Sequence, residues 1–162
     1  MSIKRNKKAS RNEHLTVLSH EHHHGLIFCS RLKKTTNVPS DTVRRYILDF
    51  WGRYLFDHFL NEEIVFLPYL KEEELTIQFK KEHQVIRELM DEIKSPDGPI
   101  HEQALQFSKL INDHIRFEER EFFPWLEQKL TPKQLTKVGS VFEEMEITAH
   151  EFIPKFWEIQ QT

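Results

Sequence analysis

The feature that most constrains this chain is a repeated segment in which one histidine and two glutamates keep the same positions. The first copy spans residues 58–70 and the second residues 114–126, and the two align without gaps. Both follow the frame H-x-x-x-E-E-x-x-F-x-P-aromatic-L. Side chains four residues apart project from one face of an α-helix. Each copy therefore predicts a helix that presents an imidazole and a carboxylate together.

A helical segment that begins with Glu-His precedes each copy of the repeat. The dipeptides are Glu21-His22 and Glu82-His83, and apolar residues follow both at matching positions. These apolar residues are Phe28, Cys29 and Leu32 in the first segment and Leu89, Met90 and Ile93 in the second. The chain therefore divides into two helical hairpins, each of which supplies one lone histidine and one His/Glu pair.

Apolar residues at helical spacing, separated by breakers such as the Pro/Gly-rich residues 95–99, predict five helices. We expect them at residues 12–34, 41–69, 73–94, 100–129 and from 131 onward. The fifth should carry the core residues Val138, Val141, Phe142, Met145, Ala149 and Phe152. No β-strand alternation competes. The predicted fold class is all-α, an antiparallel up-down four-helix bundle with an additional C-terminal helix.

The pattern divides the chain into three parts. Residues 1–11 are expected to form a basic flexible N-terminal tail, residues 12–130 the bundle, and residues 131–162 an extra C-terminal helix packed on it. The net charge of −3 provides no global basic field for nucleic acid. No apolar run reaches the roughly 18 residues of a membrane span, and the first residues lack the apolar stretch of a signal peptide. We therefore expect no membrane partner and a cytoplasmic location.

The two His/Glu pairs predict a metal site. His58 with Glu62, and His114 with Glu118, lie among apolar neighbours and should point into the bundle. Burying a carboxylate without a partner costs several kcal/mol or shifts its pKa upward. A cation supplies the compensation, because imidazole and carboxylate are both common metal ligands.

The other two helices can each add a histidine. His83 is expected to be one ligand. The first helix offers four histidines, namely His20, His22, His23 and His24. His22 is preferred because it continues the apolar line of Leu15 and Leu18, and His23 is the main rival because Leu26 follows it by three residues. His20 and His24 form a four-spaced pair that would face inward in a different register.

The predicted ligand set combines four histidines and two glutamates. Its members are His22, His58, Glu62, His83, His114 and Glu118. Two carboxylates able to bridge, with terminal imidazoles, suit a site for two ions. Iron is the best candidate, and manganese and zinc fit the same donors.

The remaining candidate residues receive less specific roles. Glu63 and Glu119 point about 100° away from the preceding glutamates, so we expect them behind the ligands or at the surface. His101 should lie about 20 Å from the site along its helix, and His150 should be at the surface or in a cap. Cys29, the only cysteine, excludes an internal disulfide and is expected to be a small buried apolar residue.

On these residues the chain resembles the hemerythrin-like family, the HHE cation-binding domains. The resemblance covers about residues 12–128. It is carried by Glu21-His22-His23, by residues 58–62 with Pro68, by Glu82-His83, and by residues 114–118 with Pro124. It implies an antiparallel four-helix bundle that holds a non-haem di-iron centre, commonly with an oxo or hydroxo bridge and carboxylate bridges.

One position departs from the oxygen-carrying hemerythrins, which have two metal-binding histidines four apart on the third helix. Here the residues four from His83 are Phe79 and Arg87. The resemblance therefore argues against simple reversible carriage of dioxygen, and a reduced ligand set leaves more of the iron open to water, O₂, NO or peroxide. Bacterial relatives with a similar ligand set are linked to iron or oxygen sensing, to the NO response and to iron–sulfur repair.

Three functions are compatible with these residues. The preferred one is a di-iron module that binds or senses O₂, NO or iron, either as a monomer or as a homodimer, with a separate protein partner for any signal output. The alternative is a di-iron enzyme with peroxidase, oxidase, NO-detoxifying or iron–sulfur repair activity. It ranks second because no further acid, base or substrate motif stands out. A helical scaffold without metal is the third.

Overall fold

The computed structural model describes residues 11–143 and 151–158, and every regular element in this part of the chain is helical. The longer helices are α1 (Thr16–Leu32), α2 (Ser40–Phe50), α3 (Phe56–Phe66), α4 (Glu74–Ile93), α5 (Ile100–Phe117), α6 (Phe123–Lys129) and α7 (Pro132–Glu143). Short 3-10 turns lie at Glu13–Leu15, Leu67–Tyr69 and Phe156–Glu158. The all-α prediction is confirmed for these residues.

Two of the long helices contain a π-helical turn. Trp51–Leu55 joins α2 to α3, and Glu118–Phe122 joins α5 to α6, with helical backbone angles at both ends of each turn. The expected helices over 41–69 and 100–129 are thus continuous through these turns but not regular. Single π turns are frequent at functional sites because they re-aim neighbouring side chains. One of these turns precedes His58 and the other begins at Glu118.

Neighbouring helices contact each other in opposite residue order. Between α1 and α5, the Ser108 hydroxyl donates to the Cys29 carbonyl at 2.9 Å, whereas His22, earlier in α1, contacts Glu119, later in the chain. Between α4 and the end of α5, His83 meets His114, and the earlier Phe79 meets a residue of the following π turn.

The same order holds between α1 and the second long stretch. Phe28 of α1 stacks on Phe50 of α2 at 4.0 Å, while the earlier Glu21 reaches His58 of α3. The Arg44 side chain of α2 donates to the carbonyl of Ile93 at the end of α4. All four long helical stretches therefore meet in a common interior.

That interior consists of two apolar clusters with a polar layer between them. One cluster includes Phe28, Ile47, Trp51, Phe59, Met90 and Phe107. The other includes Leu18, Phe66, Phe79, Phe122, Phe123 and Phe142. The ring of His83 contacts Phe59 of the first cluster and Phe79 of the second. The buried histidines thus occupy the boundary between two aromatic-rich cores.

A capping box starts α7. The Gln134 amide nitrogen donates to Thr131 Oγ1 at 3.2 Å, and the Thr131 amide donates to Gln134 Oε1 at 2.9 Å. The helix packs closely on the turn that precedes α1. A Cβ added at Gly139 would come within 2.5 Å of the His14 ring, so only glycine fits this approach without a shift.

The fifth helix was expected to continue through Phe152, and this expectation is wrong for the last part of the helix. The described part of α7 ends at Glu143, and residues 151–155 are not helical. Pro154 explains this, because proline lacks an N–H and disfavours helical geometry in the residue before it. Phe152 is nevertheless buried, against Tyr46 at a ring distance of 4.9 Å. Val141 is 41% exposed rather than in the core.

Three residues assigned to the fifth helix or to its surface, Met145, Ala149 and His150, lie outside the described residues. The same holds for most of the expected N-terminal tail. None of the helices within 11–143 and 151–158 has the length and apolar character needed to cross a bilayer.

Candidate metal centre

The six predicted ligands lie together in the polar layer. They come from the four long helical stretches, and each of them is buried. Their donor atoms form two groups, each within 4.8 Å of one another. The first group is His22, His58, Glu62 and Glu118, and the second is Glu62, His83, His114 and Glu118.

The two groups share both glutamates. Glu62 and Glu118 thus lie between one pair of histidines, His22 and His58, and the other pair. His58 Nε2 lies 2.9 Å from Glu62 Oε1. His114 Nε2 lies 2.7 Å from Glu118 Oε1. Because both donor groups include these two carboxylates, each carboxylate can contact two ions at once.

The polar atoms at the centre lack hydrogen-bond partners. Among the described residues, His22 Nε2 and both carboxylate oxygens of Glu62 and of Glu118 are fully buried without a hydrogen bond. The short contacts to imidazole nitrogens are ion-pair distances without hydrogen-bond geometry. Buried polar groups are otherwise almost always satisfied, so five such atoms in one place fit the donor set of a metal centre.

The pKa values of the two glutamates also fit a site that holds a cation. Burial and the adjacent Glu118 carboxylate raise the pKa of Glu62 well above its usual range. Burial also acts to raise the pKa of Glu118, but the nearby His114, Glu62 and His22 together outweigh it and hold that pKa well below its usual range. Without an ion, the protein must therefore use a proton or an imidazolium to offset these charges.

The pKa values of two histidines shift in opposite directions. Burial disfavours the charged form of His114, yet Glu118 reverses this and raises the pKa of His114 to about 10. Burial lowers the pKa of His83 to about 4, despite the hydrogen bond to Glu63. His83 is therefore neutral at physiological pH, which is the form that coordinates a metal.

The structure separates the four histidines of the first helix. His22 is 4% exposed and lies in the first group of donors. His20, His23 and His24 are exposed. Leu26, which supported His23 as the rival, is 41% exposed, so the face that includes His23 points to solvent.

Four further glutamates contact the Nδ1 atoms of the buried histidines. The distances are 2.7 Å from His22 to Glu119, 2.7 Å from His58 to Glu21, 3.3 Å from His83 to Glu63 and 2.9 Å from His114 to Glu82. From the sequence we expected Glu63 and Glu119 behind the ligands or at the surface, and we assigned no role at the centre to Glu21 and Glu82. Their position directly beside a predicted ligand was the available signal.

A small cavity adjoins the first group of donors. It is large enough to hold about one water molecule. Gly25, Ile111 and Ile115 form apolar parts of its wall, next to His22 and His58.

Tyr54 also lines this cavity, and sequence reasoning missed it. Its hydroxyl is buried without a hydrogen-bond partner among the described residues. Its ring lies 5.4 Å from that of His58, one helical turn later. Burial raises the pKa of Tyr54 well above its usual range, so the phenol stays protonated and can donate a hydrogen bond into the cavity.

No histidine stands four residues from His83. Phe79 packs its ring 4.3 Å from the ring of His83. Arg87 points away from the centre and makes two 2.7 Å contacts with Glu63. The aromatic ring therefore closes the position at which another imidazole would enter.

The remaining candidates lie outside the centre. His101 Nε2 is 2.7 Å from the Val38 carbonyl at the far end of the helix, as its spacing from His114 predicted. Cys29 is buried, and burial raises the pKa of its thiol to about 11. Neither belongs to the two donor groups.

The burial of four histidines and two glutamates from four helical stretches is consistent with the class of metal-binding helical proteins. The family model of the hemerythrin HHE cation binding domain matches residues 13–126, more than half of the chain. The chain therefore belongs to the hemerythrin HHE family. No curated protein and no solved structure gives a significant match.

Proposed function

We propose that this protein holds two non-haem iron ions joined by an oxo or hydroxo bridge. His22 and His58 would bind one ion, His83 and His114 the other, and Glu62 and Glu118 would bridge them. The observation that carries the proposal is that both donor groups contain the same two glutamates. Zinc and manganese suit the same donors and can substitute.

The scaffold that we propose around the ions is an antiparallel up-down four-helix bundle formed by residues 12–130. It is supported by the opposite residue order in which neighbouring helices meet, as between Ser108 and Cys29. Residues 131–162 would pack on this bundle as an additional element, as α7 does against α1, and residues 1–11 would be a basic tail.

The small molecule that the centre binds is proposed to be O₂ or NO. Iron supplies an open coordination position and variable oxidation state to such ligands. The chain supplies a small cavity beside these donors, with apolar walls at Ile111 and Ile115. We propose that ligand or iron occupancy is sensed and passed to a partner protein, with this chain as a monomer or homodimer in the cytoplasm.

A second candidate is a di-iron enzyme that reduces peroxide or NO or repairs iron–sulfur centres. The Tyr54 hydroxyl favours it, since an unpartnered buried O–H beside His58 can donate a hydrogen bond to a bound ligand. Turnover of H₂O₂ or NO under reducing conditions would favour the enzyme. Binding without turnover would favour the sensor.

The metal proposal is tested by loading the full chain anaerobically with Fe(II), removing free metal, exposing it to air and measuring iron per chain. We expect two, with ligand-to-metal absorbance in the near ultraviolet. The Glu62→Ala and Glu118→Ala variants should lose most of the iron, whereas His23→Ala, an exposed neighbour of His22, should retain it. Less than one iron per chain in the wild type, without that absorbance, would contradict the proposal.

A further inference from the structure

Four glutamates outside the donor groups form a closed ring of contacts around the buried histidines. Each is the immediate chain neighbour of a proposed ligand, but each contacts the histidine of a different helical stretch. Glu21 of α1 contacts His58, and Glu63 of α3 contacts His83. Glu82 of α4 contacts His114. The last contact, from Glu119 to His22, returns to α1 and closes the circuit.

These contacts all fall on the same ring nitrogen. In the four histidines it is Nδ1 that meets the carboxylate. An ionised carboxylate can only accept a hydrogen bond, so Nδ1–H is the donor. Nε2 is then the nitrogen that faces the centre, as shown by the Nε2 contacts of His58 and His114 with Glu62 and Glu118. When a metal binds and displaces any proton on Nε2, its lone pair is the one that coordinates.

The charges of the four glutamates are unevenly neutralised. Arg87 pairs with Glu63 at 2.7 Å, and Arg11 pairs with Glu119 at 3.0 Å. Among the described residues, neither Glu21 nor Glu82 has a lysine or arginine within ion-pair distance. Their charges therefore act without a paired cation on His58 and His114.

We propose that Glu21, Glu63, Glu82 and Glu119 are positioning residues that select Nε2 of all four histidines as the metal-binding atom. We further propose that Glu21 and Glu82 contribute most to metal affinity and to stabilising the oxidised ions. A carboxylate behind a ligating imidazole orients its ring and increases its basicity. This inference rests on the proposed metal function and extends it to residues outside the ligand set.

The test compares Glu21→Gln and Glu82→Gln, which keep the side-chain size and an acceptor but remove the charge. Asp49→Asn is the matched control, because Asp49 and Glu82 have the same 25% side-chain exposure and Asp49 pairs with Arg53 instead of a histidine. Zinc affinity is measured by competition with a chelator, and circular dichroism verifies that each variant is folded. We expect each glutamine variant to bind zinc about 10-fold to 100-fold more weakly, and the control to match the wild type.

Two further readouts separate positioning from a structural role. The reduction potential of the iron-loaded glutamine variants should rise, because a negative charge near the oxidised ions is lost. In zinc-loaded wild type, imidazole ¹⁵N spectra should show all four histidines protonated at Nδ1.

The outcomes distinguish the two proposals. If the wild type binds metal but both glutamine variants keep its zinc affinity and its reduction potential, the proposed role of the four glutamates is overturned and the proposed function is not. Nδ1 coordination in the zinc-loaded protein would do the same. A wild type that binds no metal would overturn the proposed function, and the role of the ring with it.

Discussion

The Nε2 atoms of His83 and His114 lie 3.1 Å apart, although the two residues come from different helices. Two nitrogen ligands of one ion, each about 2.0 to 2.1 Å from it, are separated by roughly 3.0 to 3.4 Å at ordinary coordination angles. The side chains are thus already spaced as ligands of a single ion. Packing holds them there, since Phe59 contacts both rings.

Removing either histidine should empty one of the two positions. We expect His83→Ala and His114→Ala to bind about one iron per chain fewer than the wild type, because each loses a donor to the same ion. Elemental analysis after anaerobic loading measures the change. His101→Ala serves as the control, because its ring contacts the Val38 carbonyl outside the centre. Full iron content in both site variants would contradict this assignment.

Removing the metal should destabilise the fold. Glu62 and Glu118 are both fully buried and lack hydrogen bonds, so an ion that binds only the folded state stabilises it by mass action. The gain is about 2.7 kcal/mol when free ligand exceeds Kd 100-fold. Thermal unfolding with and without a chelator measures the difference as a lower Tm of the stripped protein. The same Tm in both samples would argue against a metal in the native state.

In the metal-free protein, the Glu62→Gln substitution should stabilise the fold, although it should weaken metal binding. Burial and the Glu118 carboxylate raise the pKa of Glu62 well above its usual range, so burying its ionised form without a metal is costly. Glutamine has the same shape and avoids that cost, so we expect unfolding of the variant to require about 1 to 3 kcal/mol more. Urea unfolding in the presence of a chelator measures this. A loss of stability in the variant would mean that the Glu62 carboxylate is well compensated without a metal.

The local part of the site was predictable from the sequence, because it depends on spacing within one helix. His58 with Glu62 and His114 with Glu118 share a face by the four-residue rule. His22 could be preferred over its neighbours because it continues the line of buried Leu15 and Leu18. Exposure of the other histidines in the structure agrees with the same periodicity.

The contacts between helices were not predictable in this way. Whether Glu21 reaches His58 depends on how α1 and α3 are rotated about their axes, and on the π turn at Trp51–Leu55, which changes the helical register of α3. Periodicity in one helix contains no information about either. The end of the fifth helix was different, since Pro154 was a visible signal against continuing it through Phe152.

Cys29 should make the stability of the protein depend on pH. Burial raises the pKa of its thiol to about 11, above the roughly 8.5 of an exposed cysteine. Between these values the native thiol holds a proton that the unfolded chain releases, so its contribution to stability is present below about pH 8.5 and is lost as the pH rises toward 11. Comparing the urea unfolding of wild type and Cys29→Ala across this window isolates the effect. We expect the stability difference between them to shrink with rising pH, and a constant difference would contradict it.

The reaction of that thiol with a small alkylating reagent should show the same shift. The thiolate is the reactive form, so the native protein should react far more slowly at pH 8.5 than the urea-unfolded chain does. Equal rates would show that Cys29 is neither buried nor shifted in solution.

The Tyr54 hydroxyl should affect both stability and ligand release. It is buried beside the cavity without a hydrogen-bond partner among the described residues, and an unsatisfied buried polar group costs about 1 to 3 kcal/mol. Tyr54→Phe keeps the ring and removes that group, so the metal-free variant should be more stable in urea by about 1 kcal/mol.

If the phenol donates a hydrogen bond to a ligand at the metal, the iron-loaded Tyr54→Phe variant should release NO faster than the wild type. Tyr46→Phe is the control, since Tyr46 packs against Phe152 and Phe156 away from the centre. A variant that is less stable without metal, and that releases NO at the wild-type rate, would show that the hydroxyl has a partner in solution and does not contact the ligand.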